Sequence, residues 1–231
     1  MVQINIPDPE YANSERAKKN FVFALKLAAI VVGLIWFVFI VDGLLGLGLR
    51  QFGLVPRRLS GLGGIIMVPL LHANLSHIIN NSLPLFVGMA SMLYLYPNSA
   101  VKVLPVLYFG SSALTWVFGR TSLHIGASGL VYGILAYVFV SGLLRRDMRS
   151  IGVTMLVYFL YGSMVWGVLP IREKMSWELH LSGAVLGVVL AFVHRSWDRI
   201  PVKQYEWEEN DEVPDWYTEE ENTDSDKKWE E

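Results

Sequence analysis

The chain has 231 residues, is 53% hydrophobic and only 17% charged, and has a positive mean hydropathy of +0.39. This is too apolar for an ordinary soluble domain and points first to a membrane protein. The absence of cysteine excludes disulfides, thiol nucleophiles and cysteine-ligated metals.

The net charge of −2 hides a division. Residues 205–231 hold 13 of the 21 acidic residues, with Lys227 and Lys228 their only bases, while the rest of the chain has 17 basic and 8 acidic residues. A basic membrane body with an acidic tail is expected. The tail has no apolar periodicity and reads as disordered.

A membrane-crossing helix needs about 20 predominantly apolar residues. Six stretches qualify, roughly 20–46, 75–96, 101–119, 126–144, 150–170 and 178–195. They divide the chain into a short N-terminal segment (1–19), a six-helix membrane domain (20–196) and the acidic tail (197–231). The first 20 residues are polar, which argues against a cleaved signal peptide and makes the first span an uncleaved anchor. The connection 47–74 is long for a bundle. It carries Pro56, the cluster Gly61-Leu62-Gly63-Gly64 and an apolar run from Ile65 to Leu71. Such loops are often functional, here as a lid or a partly embedded loop.

The second span is the least apolar, with Ser76, His77, Asn80 and Asn81. His77 and Asn81 are four residues apart and share one helix face. The fourth span opens on Gly126-Ala127-Ser128-Gly129, and Ser128 and Tyr132 share a face in the same way. His180 lies at the start of the sixth span, with Gly183 and Gly187 on roughly its own face. Gly129-x-x-x-Gly133 and Gly183-x-x-x-Gly187 are small-residue stripes of the kind that let membrane helices approach closely. They would bring the fourth and sixth spans together where Ser128 and His180 meet.

Polar and ionisable groups at membrane depth are costly and mark functional sites. A serine hydroxyl becomes a nucleophile when a base within hydrogen-bond reach takes its proton, and His180 fits that role. The oxyanion that follows needs preorganised donors, and His77, Asn81 and the Ser128 backbone N–H supply them. The helix N-terminus at Ser128 adds a favourable dipole. No carboxylate stands at membrane depth to complete a triad, because Glu178 points away from the His180 face. A Ser-His dyad is therefore expected, with Tyr132 packed against the imidazole. His124 and His194 read as interfacial. The chain has no His-Glu-x-x-His pattern, which argues against a zinc protease. A metal site from His72, His77 and His180 lacks carboxylate or thiolate support, so no metal or other cofactor is expected.

Three motifs in order resemble the rhomboid family of intramembrane serine proteases. Leu71 to Asn81 resembles the family's His-x4-His-x3-Asn segment through His72, His77 and Asn81. Gly126 to Gly133 resembles its Gly-x-Ser-Gly motif with tyrosine four residues on. His180-Leu-Ser-Gly183-Ala-Val-Leu-Gly187 resembles its His-x2-Gly-x3-Gly motif. The resemblance covers roughly 20–196 and implies an all-α, six-span bundle. It implies Ser128 as nucleophile, His180 as base, and an oxyanion hole of His77, Asn81 and Ser128. Tyr132 would stack on His180, and His72 would be structural. It also implies a water-filled cavity and cleavage of single-span membrane proteins that enter laterally past the fifth helix. The expected partners are these substrates and the lipid bilayer, with no nucleic acid; oligomeric state has no sequence signal. The Trp-Arg pair of many family members does not occur in 47–71. The alternative reading is a catalytically inactive rhomboid-like scaffold or chaperone.

Lysine and arginine near span ends set orientation. Ten, including the clusters Arg16, Lys18, Lys19 and Arg145, Arg146, Arg149, fall on one side and six on the other. Both termini are thus expected in the cytoplasm, in a bacterial inner membrane. A cytoplasm-specific reporter fused after Glu231 or before Phe21 should be active, and a reporter in the loop near Arg57 should signal from outside. Termini on opposite sides would break the six-span register.

Overall fold

The computed structural model describes residues 14–171 and 175–198, so the acidic tail beyond Asp198, with Arg172 and Lys174, lies outside the described residues. Six helices carry the architecture: α1 (Glu15–Leu45), α2 (Leu75–Leu95), α3 (Pro97–Phe118), α4 (Ser128–Arg145), α5 (Met148–Tyr161) and α6 (Trp177–Val193). Among the described residues there is no strand, only an isolated bridge between Leu54 and His124.

Local chemistry sets the helix ends. The Asn74 side chain accepts from the His77 N–H at 2.9 Å and caps α2, which fixes His77 in the first turn. Tyr96 ends α2, and Pro97 immediately starts α3. Proline suits the first helical position because its missing N–H would be unpaired there anyway. For that reason α3 begins four residues before the apolar run at 101. Asp147 caps α5 through the Ser150 N–H at 3.1 Å. α5 ends at Tyr161, and the chain continues as a tighter 3-10 stretch, Gly162–Val168. The fifth span is thus less regular than a single helix over 150–170.

The helices α1 to α4, and α5 with its 3-10 continuation, are long and apolar enough to cross a membrane. α6 has 17 residues, about 25 Å of helix, at the short end of what a bilayer needs. Phe23, Ile30 and Phe37 of α1 and Phe159 of α5 are large, apolar and exposed. This is a surface for lipid, not water.

α4 is the central helix. Val131, Ile134, Tyr137 and Val138 are buried, and α4 meets α6 backbone to backbone. A Cβ on Gly183 would collide with the Gly129 carbonyl oxygen, and one on Gly187 with the Gly133 carbonyl oxygen. The two stripes are therefore in register, and the helices run in the same direction. On the other side of α6, Thr115 of α3 and Ser182 share a buried hydroxyl pair at 2.9 Å. Trp36 of α1 donates to Ser82 of α2 at 2.9 Å. The loop between α1 and α2 lies on the end of α3. There Arg57 Nη1 donates to the Gly119 carbonyl at 2.7 Å, and Trp116 Nε1 to the Arg58 carbonyl at 3.1 Å.

Gly187→Ala should destabilise the bundle by about 1–3 kcal/mol, the usual cost of overpacking a tight contact. A thermal melt in detergent measures this. An unchanged melting temperature would contradict the carbonyl-to-glycine contact.

Candidate active site

A cavity of about 640 Å³ opens between the N-terminal ends of α2, α4 and α6, and His77, Asn81, Ser128, Tyr132 and His180 all line it. Every residue that the sequence nominates for chemistry thus meets at one place. His72 does not line this cavity. It is buried beside it, edge-on to His77 at 5.0 Å between ring centroids.

Ser128 is the first residue of α4. The first bond within the helix runs from the Val131 N–H to the Ala127 carbonyl at 3.0 Å. The N–H groups of Ser128, Gly129 and Leu130 precede it and are the unpaired donors of a helix N-terminus. The approach to Ser128 is built on Gly126, whose φ of 117° favours glycine. A Cβ there would also stand 2.6 Å from His77 Nε2. Glycine therefore allows both the turn and the close seating of the His77 ring two residues before Ser128. The Gly126 N–H donates to the Val68 carbonyl at 2.9 Å, tying this turn to the first loop.

The two imidazoles sit in opposite tautomers. The Ala73 N–H donates to His77 Nδ1 at 3.4 Å. That leaves the hydrogen of the neutral ring on Nε2, beside Gly126. His180 Nδ1 lies 2.9 Å from the Gly167 carbonyl oxygen. A carbonyl only accepts, so Nδ1 carries the hydrogen and Nε2 keeps its lone pair. One ring presents an N–H and the other a lone pair.

Tyr132 stacks on His180 with centroids 4.2 Å apart and planes 8° apart. Its hydroxyl donates to the Met164 carbonyl at 2.8 Å. Both aromatic groups are therefore fastened to carbonyls of the Gly162–Val168 stretch. Asn81 Nδ2 donates to the His77 carbonyl at 3.0 Å, which uses one amide hydrogen and leaves the second. Ser128 and His180 are each 7% exposed. No hydrogen bond joins them among the described residues. Such bonds are often long in unliganded sites and tighten in the complex.

His124 departs from the interfacial position that the sequence suggests. It is 1% exposed, because its backbone pairs with Leu54 at 3.0 and 2.8 Å and its ring bonds Ser176 and the Arg120 carbonyl. Gly167 and Met164 also escaped the sequence reading. They act through backbone carbonyls, which leave no side-chain signal. Among the described residues, no group of three His, Cys, Asp or Glu side chains is arranged to hold a metal.

A family model described as the Rhomboid domain matches residues 60–197, and the chain belongs to the rhomboid family of integral membrane proteins. An uncharacterized protein of Mycobacterium tuberculosis (strain ATCC 25618 / H37Rv) is 36% identical over 171 residues. This spans 70% of this chain and 71% of the relative. An uncharacterized protein of Mycobacterium leprae (strain TN) is 37% identical over 174 residues, spanning 70% of this chain and 68% of the relative.

His72 is neutral in the folded protein. Burial, and then the neighbouring His77, lower its pKa from 6.5 to about 4. The unfolded chain therefore binds a proton first as pH falls. The stability this ring contributes is complete above about pH 6.5 and is lost as pH falls through 4, a change of about 3 kcal/mol. Melting temperature in detergent should fall across this window, and His72→Phe should flatten the fall. An equal slope in the variant would contradict the assignment.

Proposed function

We propose that the chain is an intramembrane serine endopeptidase that cleaves single-span membrane proteins in or near their membrane segments with a Ser128–His180 dyad. The observation that carries this is the pair of opposed tautomers around one serine. His180 Nε2 is free to take the Ser128 proton as the hydroxyl attacks the scissile carbonyl, and to return it to the leaving amine. His77 Nε2–H and the Ser128 N–H stand on the other side as donors for the oxyanion. Asn81, with an uncommitted amide hydrogen, is the third.

The Gly167 carbonyl does for His180 what a carboxylate does in a triad, fixing the tautomer and the ring plane. It does so as a neutral dipole in direct contact with the ring N–H. Tyr132 stacks on one face of the ring. Water reaches the acyl-enzyme through the cavity. The substrate enters laterally past α5, a path that its exposed apolar surface and its irregular end support. Both termini are assigned to the cytoplasm by the positive-inside count, which puts the cavity mouth on the opposite side.

Ser128→Ala and His180→Ala should each abolish cleavage of a model transmembrane substrate by purified protein while leaving the melt intact. The double variant should be no worse, because nucleophile and base act as a unit. Undiminished cleavage by Ser128→Ala would overturn the proposal. Asn81→Ala should lower kcat about 10²- to 10³-fold with KM nearly unchanged. A raised KM with intact kcat would make Asn81 a substrate-binding group instead.

A further inference from the structure

A closed polar ring joins the N-terminal ends of α4 and α6, outside the dyad itself. Glu178, in the first turn of α6, is 1% exposed. Its Oε1 accepts from the Arg120 backbone N–H at 3.2 Å and pairs with Arg120 Nε at 3.2 Å. Arg120 Nη2 donates to the Met175 carbonyl at 2.5 Å. The Arg120 carbonyl accepts from His124 Nε2 at 3.1 Å, and His124 Nδ1 bonds the Ser176 hydroxyl. Ser176 lies two residues before Glu178 and closes the ring. His124 stands four residues before Ser128, and Glu178 two before His180. The ring therefore links the chain that delivers the nucleophile to the chain that delivers the base.

We infer that Arg120, His124, Ser176 and Glu178 form a positioning clamp that sets the separation of Ser128 and His180. The inference rests on the protease reading above. The glycine contacts, Gly183 against Gly129 and Gly187 against Gly133, fix how closely α4 and α6 approach below the site. The ring adds a polar tie across the openings of the two helices, on the chain just before Ser128 and His180.

Two features indicate that the ring serves position more than stability. Ser176 is the N-cap residue of α6, yet its side chain makes no capping bond and is turned to His124 instead. A serine at this place ordinarily accepts from an N–H of its own helix. Departures from such a local rule gather at working sites. Secondly, Glu178 is a buried carboxylate whose Oε2 has no hydrogen-bond partner among the described residues. Its partner Arg120 is 39% exposed, and an ion pair with one member in solvent is weak support for a fold. It does hold its two chains in one register.

The test uses the full chain in detergent. A fluorophosphonate probe titrates the reactive Ser128, and kcat per reactive serine and KM are measured on a model transmembrane substrate. Glu178→Ala should lower kcat per reactive serine about 10- to 100-fold, the scale of a small misplacement of reacting groups, with KM within about two-fold. Glu178→Gln, whose amide oxygen still accepts from the Arg120 N–H, should recover most of that loss. Ser176→Ala opens the ring without removing a charge and should give a smaller loss of the same kind. If Glu178→Ala does not fold, Ser176→Ala decides alone. A loss confined to the number of reactive serines, with normal kcat per serine, would make the ring fold support only and overturn the inference. So would Glu178→Ala and Ser176→Ala both within about two-fold of wild type. A folded wild type that the probe does not label at all would overturn the protease reading, and the clamp with it.

Discussion

The site depends on the contact between α4 and α6. Two polar side chains at membrane depth can work together only if their helices come closer than ordinary side chains allow. Here the backbones touch: Gly183 and Gly187 lie directly on the carbonyls of Gly129 and Gly133. Membrane helices gain little from hydrophobic exclusion against each other, so close van der Waals packing of small residues carries the association. Ser128 at the start of α4 and His180 near the start of α6 are brought to one cavity by that contact. α2 then delivers His77 and Asn81 from the side.

Backbone groups fix the geometry of the site. The Gly167 carbonyl sets the His180 tautomer, the Ala73 N–H sets that of His77, and the Met164 carbonyl anchors Tyr132. Carbonyls and N–H groups carry partial charges, so they orient an imidazole without the desolvation cost of a buried carboxylate. The Gly162–Val168 stretch follows from this. The Gly167 carbonyl lies near the end of the 3-10 stretch, and Pro170, three residues on, has no N–H to claim it, so it is left for His180.

Much of this was legible in the sequence. Periodicity placed Ser128 with Tyr132 and His77 with Asn81, because spacing of four on a helix fixes a shared face whatever the tertiary context. The position of each glycine stripe beside Ser128 or His180 was legible for the same reason, and its pairing with the other stripe came from the structure. The early start of α3 was visible only in Pro97, and the early end of α5 was not visible, since apolar residues continue through 170. The position of His124 was lost because a histidine between spans looks interfacial when its partners are unknown. Its burial comes from Leu54, some 70 residues earlier, and from Ser176, 52 residues later. The functions of Gly167 and Met164 could not be read at all, because a backbone carbonyl is the same in every residue.

The central claim is that Ser128 is a nucleophile whose product oxygen is held by His77 and the start of α4. The most direct measurement is a structure of the protein after reaction with a phosphonate inhibitor. The account predicts a covalent bond to Ser128 Oγ, with the phosphoryl oxygen about 2.7–3.1 Å from His77 Nε2 and from the Ser128 N–H. A folded, unmodified Ser128, or an adduct whose oxygen turns away from His77, would contradict it.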